Sequence, residues 1–155
     1  MEKPLPVFVL KLQEMIEHEY TFRVMYPETD KMGIVHHSNY VKYYETARWE
    51  LLRDLGVSYC SVEEAGYMLP VIRMDLRFIK PAHYDDQLTI KTTLKAIKGT
   101  RMWFTYKLFN EQGELLNEAS TELAFVVRDT LKPCGAPLFL KEVVGACQKR
   151  ELEYA

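Results

Sequence analysis

From Met68 onward the hydrophobic period of the chain is two, and this alternation limits the possible folds more than any other feature. Ile72, Met74, Leu76 and Phe78 alternate with Arg73, Asp75 and Arg77, and Pro81 closes that run. Leu88, Ile90, Thr92 and Leu94 alternate with Thr89, Lys91, Thr93 and Lys95. Met102, Phe104, Tyr106 and Leu108 follow, and then Ala119, Thr121, Leu123, Phe125 and Val127. Each run reads as a strand with one oily face and one polar face, as an antiparallel sheet covered on one side requires. Lys98-Gly99-Thr100 and Glu111-Gln112-Gly113 have the composition of hairpin turns. The four strands are therefore expected to form a meander.

The cover for that sheet lies upstream. Tyr40, Tyr44, Ala47, Leu51 and Leu55 fall at helical spacing, and Val41, Trp49 and Leu52 widen the apolar surface beyond a normal amphipathic stripe. A helix from about Asn39 to Leu55, stopped by Gly56 and capped by Ser38 or Asn39, is expected to be buried on more than one side. Before it, Tyr20, Phe22, Val24 and Tyr26 alternate through a strand from Glu19 to Tyr26 that Pro27 ends. A short helical turn is expected around Ser61 to Ala65, and a final helix over Leu138 to Arg150. One curved sheet wrapping one central helix buries both, an α+β fold. No repeat or linker divides residues 1–155, which read as a single domain.

Composition excludes several classes of function. Twenty basic residues against 22 acidic ones give a net charge of −2, so no cationic excess drives non-specific binding to nucleic acid. Cys60, Cys134 and Cys147 are odd in number and widely spaced, which suggests reduced thiols, not a disulfide framework. The apolar run Leu5 to Leu10 is interrupted by Lys11 and Glu14 without a cleavage site, and nothing approaches the ~20 apolar residues that span a bilayer. A soluble cytoplasmic protein is expected.

Chemistry concentrates between Tyr26 and Tyr44. Asp30 sits in a loop that also holds Gly33 and runs straight into a helix start. Free N–H groups there, with the positive end of the helix dipole, make an anion site. Negative charge develops on the carbonyl oxygen during acyl transfer, and one pre-aimed donor contributes on the order of 3 kcal/mol. A carboxylate beside such donors is the minimal equipment for hydrolysing an activated acyl group.

The pattern Tyr-x-x-x-Asp-x-x-Gly-x-Val-x-His-x-x-Tyr-x-x-Tyr-x-Glu-x-Ala-Arg, at Tyr26, Asp30, Gly33, Val35, His37, Tyr40, Tyr43, Glu45, Ala47 and Arg48, resembles the active-site signature of hot-dog-fold acyl-CoA thioesterases of the 4-hydroxybenzoyl-CoA and YbgC-like branch. The match in element order runs from about Glu19 to Arg150, and residues 1–18 have no counterpart, reading as an extension. The resemblance implies a hot-dog fold, a homodimer or homotetramer, and active sites at the dimer interface. It implies hydrolysis of a small or medium acyl-CoA without a cofactor. Asp30 then matches the catalytic carboxylate, as nucleophile or as general base. The amide of His37 matches the oxyanion donor, with Gly33 and Val35 shaping the loop. The side chains of Tyr26 and His37 match positions that flank the carboxylate. Lys31-Met32 departs from the family, whose members carry smaller residues there.

Other readings attach to the same residues. Asp30 alone would be a loop-capping aspartate, and the His37 ring serves equally well as a cap, a hydrogen-bond partner of Asp30 or a catalytic group. His36 and His37 are adjacent and lack an H-x-x-x-H or Cys partner, which argues against a metal. Glu45 and Arg48, three apart, are expected to form an ion pair, with Glu45 as the alternative nucleophile. Lys80, Lys98, Arg101, Arg128 and Lys132, near strand ends or turns, are candidates for CoA phosphates. Cys60 has no histidine near it to activate it. The rival functions are an acyl-carrier-protein thioesterase and a non-catalytic acyl-CoA binder.

Overall fold

The computed structural model describes residues 16–154. Strand β1 (Glu17–Arg23) is followed by a 3-10 turn (Tyr26–Glu28), helix α1 (Ser38–Asp54) and helix α2 (Tyr59–Glu64). Then come β2 (Tyr67–Met68), β3 (Val71–Phe78), β4 (Gln87–Lys98), β5 (Arg101–Phe109), β6 (Leu115–Ala124), β7 (Val126–Val127) and α3 (Leu138–Tyr154). Five strands form one antiparallel sheet in the order β1-β4-β5-β6-β3, and β2 pairs with β7. No described helix is long and apolar enough to cross a membrane.

The sheet wraps α1, as the two hydrophobic periods demand. Tyr40, Tyr43, Tyr44, Ala47, Leu51 and Leu52 of the helix are buried against Leu88, Ile90, Leu94, Met102, Phe104, Tyr106 and Leu108. Each large side chain removed from water in this way contributes about 1.5–3 kcal/mol. Ala47 has no exposed surface; its small side chain lets the helix lie close to the strands. Gly99 (φ +60°) and Thr100 make a two-residue loop between β4 and β5, with Lys98 opposite Arg101.

Three expectations about the strands are corrected. Only β4, β5 and β6 form a meander; β3 crosses to the far edge and pairs with β6. Its connection to β4 is too long for a hairpin and passes over the start of α1. There the Ala82 amide meets the Tyr40 hydroxyl at 3.4 Å and its carbonyl accepts from the Val35 amide at 2.9 Å. As an edge strand, β3 leaves Ile72 and Phe78 exposed, while Met74 and Leu76 are half-buried. Finally, β1 ends at Arg23. Tyr26 belongs to the 3-10 turn, because Pro27 and the Glu28 carboxylate, which accepts the Met25 amide at 2.8 Å, redirect the chain.

The helices lie close to their expected positions, with α2 starting two residues earlier and α3 reaching Tyr154. Of the eighteen residues expected as an extension, 1–15 lie outside the described residues. Ile16 is buried, and Glu17 and His18 pair with β4.

Candidate active site

The loop between β1 and α1 is fastened at both ends. Thr29 bridges Val35, and Ile34 bridges His83 of the crossing loop. Inside this frame the Asp30 amide donates to the Ile34 carbonyl at 2.9 Å, and the Gly33 amide donates to the Asp30 carbonyl at 3.0 Å. Gly33 has φ +75°, where a side chain would be strained, so the glycine sets the turn. Asp30 Oδ1 accepts the Met32 amide at 2.8 Å. The loop-capping role and a chemical role therefore coexist in Asp30, since its other oxygen accepts no hydrogen bond among the described residues.

The helix start supplies the second element. His37 occupies the cap position of α1 without a side-chain cap. The His36 ring caps in place of Ser38 or Asn39: its Nδ1 lies 2.8 Å from Ser38 Oγ and accepts the Ser38 amide at 3.3 Å. Asn39 reaches backward, its Nδ2 donating to the Glu28 carbonyl at 2.9 Å. The amides of Gly33 and Val35 are both engaged, whereas that of His37 has no acceptor among the described residues. The His37 ring lies tilted by 32° against His36 with centroids 4.2 Å apart, and it makes no hydrogen bond to Asp30 among the described residues.

Asp30, His36 and His37 line one cavity of about 400 Å³, with Ile34, Tyr40 and Phe78 among its walls. Lys80 borders it and is ion-paired with Glu114.

Comparison with known proteins gives the family. A sequence profile of the thioesterase superfamily matches residues 32–117. The chain belongs to the thioesterase superfamily. It is similar to the acyl-CoA thioester hydrolase YbgC of Escherichia coli, 36% identical over 115 residues, covering 74% of this chain and 86% of that one. It is similar also to the acyl-CoA thioesterase YbgC of Haemophilus influenzae, 30% identical over 135 residues, 85% and 96% of the two chains. Among solved structures, the DHNA-CoA thioesterase of Staphylococcus aureus superposes with a TM-score of 0.81 at 31% identity, over 90% of this chain and 95% of that one. The fold is thus a hot-dog fold and the protein an enzyme of the hydrolase class.

Other expected site residues of this superfamily member lie elsewhere. Tyr26 is 74% exposed, outside the cavity, with its ring edge-on to Tyr84 at 5.6 Å. Arg101 starts β5 and pairs with the end of β6, and Arg128 donates to Asp129 and to the Glu63 carbonyl. These two and Lys132 lie toward the opposite end of the sheet from the Asp30 cavity, a strand length of roughly 27 Å away. Lys98 sits at the same end, at the β4–β5 turn. Glu45 is exposed on α1, eight residues or about 12 Å along the helix from His37. The expected Glu45–Arg48 ion pair is absent among the described residues, because Arg48 turns inward and donates to the Tyr106 hydroxyl at 3.2 Å.

Sequence reasoning missed Glu28, which ties the thioesterase loop to its helix. Glu28 is only 6% exposed. Its carboxylate accepts from the Met25 amide at 2.8 Å, the Tyr43 hydroxyl at 3.0 Å and Lys42 Nζ at 2.5 Å. Its carbonyl accepts from the His36 amide and from Asn39 Nδ2, each at 2.9 Å. Burial by itself would raise the carboxyl pKa, but the donors from Lys42, Met25 and Tyr43 outweigh it and hold the group below its ordinary range. Burial, followed by the bond to this anion and its charge, pushes the Tyr43 hydroxyl up. Asn39, Lys42 and Tyr43 recur at helical spacing on one face of α1, and a polar trio there beside an acidic turn was the available signal.

Proposed function

We propose that this chain hydrolyses the thioester of a small or medium acyl-CoA, with Asp30 as nucleophile or general base and the His37 amide as oxyanion donor. The observation that carries the reading is the placement of a carboxylate with a free oxygen and an unengaged helix-start amide on one largely apolar cavity. The YbgC relatives are named for this reaction. The acyl carbonyl oxygen would face the His37 amide while Asp30 either removes a proton from the attacking water or attacks the carbonyl carbon itself. In both routes the C–S bond breaks, CoA leaves as thiol, and water supplies the oxygen and protons of the products. Neither route uses a cofactor.

The exposed edge of β3 supports a dimer. Val71, Ile72, Phe78 and Ile79 all carry exposed apolar surface on or beside it, next to unpaired backbone groups. Pairing two such edges would bring a second chain against the cavity wall that Phe78 forms. Arg101, Arg128 and Lys132 of that second chain, together with Lys80, are candidates for the CoA phosphates. A cytoplasmic location fits cysteines that are odd in number and widely spaced along the sequence.

The test measures CoA release from a panel of acyl-CoAs by wild type and Asp30→Asn. The variant is expected to lose at least about 100-fold in kcat while melting near the wild-type temperature, because the Asn carbonyl still accepts the Met32 amide. A variant with near-wild-type turnover removes Asp30 from the mechanism. Hydrolysis in ¹⁸O-water with excess enzyme separates the two routes, since only the nucleophilic one labels Asp30.

A further inference from the structure

An amide that is to meet an oxyanion must keep one direction, because a hydrogen bond weakens steeply once its angle falls below about 120°. The N–H of His37 belongs to the peptide group that joins His36 to His37. That group is trans and planar, so its N–H points opposite to the His36 carbonyl. Whatever holds the carbonyl therefore aims the amide. The His36 carbonyl accepts the Asn39 amide at 3.0 Å. Of the amides from His37 to Tyr40, that of His37 is the one without an acceptor among the described residues: Ser38 donates to His36 Nδ1, Asn39 to the His36 carbonyl and Tyr40 to the His37 carbonyl at 3.4 Å.

Asn39 is itself tied down from outside the helix. Its Nδ2 donates to the Glu28 carbonyl at 2.9 Å, and the same oxygen accepts the His36 amide at 2.9 Å. One oxygen of the preceding 3-10 turn thus fastens both ends of the turn from His36 to Asn39, and the peptide that carries the His37 N–H lies between them. The neighbouring side chains have other partners. Ser38 Oγ lies 2.8 Å from His36 Nδ1, and the Tyr40 hydroxyl meets the Ala82 amide. Asn39 does not line the Asp30 cavity, so any effect it has on the reaction passes through the peptide and not through contact with substrate.

We propose that Asn39 is a positioning residue: its side chain, held by the Glu28 carbonyl, aims the His37 amide at the acyl carbonyl oxygen. The proposal rests on the reading of His37 as oxyanion donor, and it is the same whether Asp30 attacks the carbonyl or activates water. Removing Nδ2 frees the turn to rotate, and rotation swings the His36 carbonyl and the His37 N–H together. The Glu28 carbonyl keeps the His36 amide in that case, so Asn39→Ala strands no acceptor there.

The test sets Asn39→Ala beside Tyr44→Phe, which removes a buried hydrogen bond from the same helix without touching the cavity. With the acyl-CoA turned over fastest in the panel above, Asn39→Ala is expected to lower kcat at least about tenfold and to change KM less than about threefold. Tyr44→Phe is expected to keep kcat near wild type. Infrared spectroscopy then reads the donor directly, using the ketone analogue of that acyl-CoA, with a methylene in place of the sulfur and ¹³C at the carbonyl. Wild type and Tyr44→Phe are expected to lower the bound carbonyl stretch below its value in water, and Asn39→Ala to lose most of that shift. Should Asn39→Ala fail to fold, Asn39→Ser carries both measurements, because serine is favoured at helix starts but is shorter than the asparagine that reaches Glu28. An Asn39 variant with wild-type kcat, or with the full carbonyl shift, overturns the proposal and leaves the oxyanion reading of His37 standing. A wild-type enzyme that does not shift the carbonyl of the analogue overturns both.

Discussion

Replacing Glu28 with alanine or glutamine tests whether the loop of the proposed site depends on a buried carboxylate two residues from Asp30. Alanine removes the acceptor of three donors at once. Lys42 is 59% exposed at its side chain and can return to water, so its loss costs little. The Tyr43 hydroxyl is buried and the Met25 amide was capped; a stranded donor costs about 1–3 kcal/mol. The sum is about 2–6 kcal/mol for Glu28→Ala, or a fall in Tm of roughly 4–24 °C for a chain of this size. Glutamine keeps one oxygen for Met25 and Tyr43 but sets an amide donor against Lys42, so about 1–2 kcal/mol is expected. Because the folded-state pKa of Glu28 lies below its unfolded value, the stabilisation is complete above the unfolded pKa and disappears as pH falls through the folded one. Urea unfolding from pH 7 to pH 3 should therefore show the gap between wild type and Glu28→Gln closing below about pH 4. Activity should fall as well, by up to about 100-fold in kcat, since a misplacement near 1 Å is enough. A Glu28→Gln enzyme with wild-type Tm, flat pH dependence of the gap and unchanged kcat would refute the claim that this group holds the loop.

Gly33→Ala forces a side chain into φ +75° without any steric neighbour, so it should cost about 1–2 kcal/mol of stability and lower kcat by displacing Asp30, read by thermal melting and CoA release. Tyr26→Phe removes an exposed hydroxyl outside the cavity and should change kcat/KM less than about threefold; a larger loss would show that a second chain brings Tyr26 into the site. Tyr44→Phe deletes a bond of 2.6 Å to Asn117, whose Nδ2 already lacks a partner. It should cost about 1–3 kcal/mol in chemical denaturation without altering KM. Ile72→Lys on the β3 edge should shift the mass seen by light scattering toward the monomer.

The central helix was legible because apolar residues surround so much of it, and the strands because their period is two. What alternation does not encode is which strand lies next to which: β3 carries the same pattern whether it pairs with β4 or with β6. The loop of the proposed site draws Asp30, Gly33 and His37 from within eight residues, so local geometry places them together. Arg48 could not be read in this way. Helical spacing favoured Glu45, but the arginine finds Tyr106, 58 residues away in sequence, and tertiary burial overrode the local pair. Glu28 was hidden for the same reason, since its partners Lys42 and Tyr43 become neighbours only when the turn folds back onto α1.

Glu28 and Asp30 place the same functional group in opposite surroundings on one loop. Both are carboxylates, two residues apart, on a chain that folds back toward a helix. Glu28 is enclosed, and three donors converge on its two oxygens, which leaves it no freedom to attack or to take a proton. Asp30 is half-buried beside the cavity, with Oδ1 committed to its turn and the other oxygen open. A group that anchors is most effective when its acceptors are occupied, and one that reacts needs a free lone pair within reach of substrate. Glu28 also holds the His36 amide and Asn39 through its carbonyl, so the anchor reaches the residue just before the His37 amide. Loosening it would disturb the proposed attacking group and the proposed oxyanion donor together, so its effect on kcat should exceed what the lost stability alone explains.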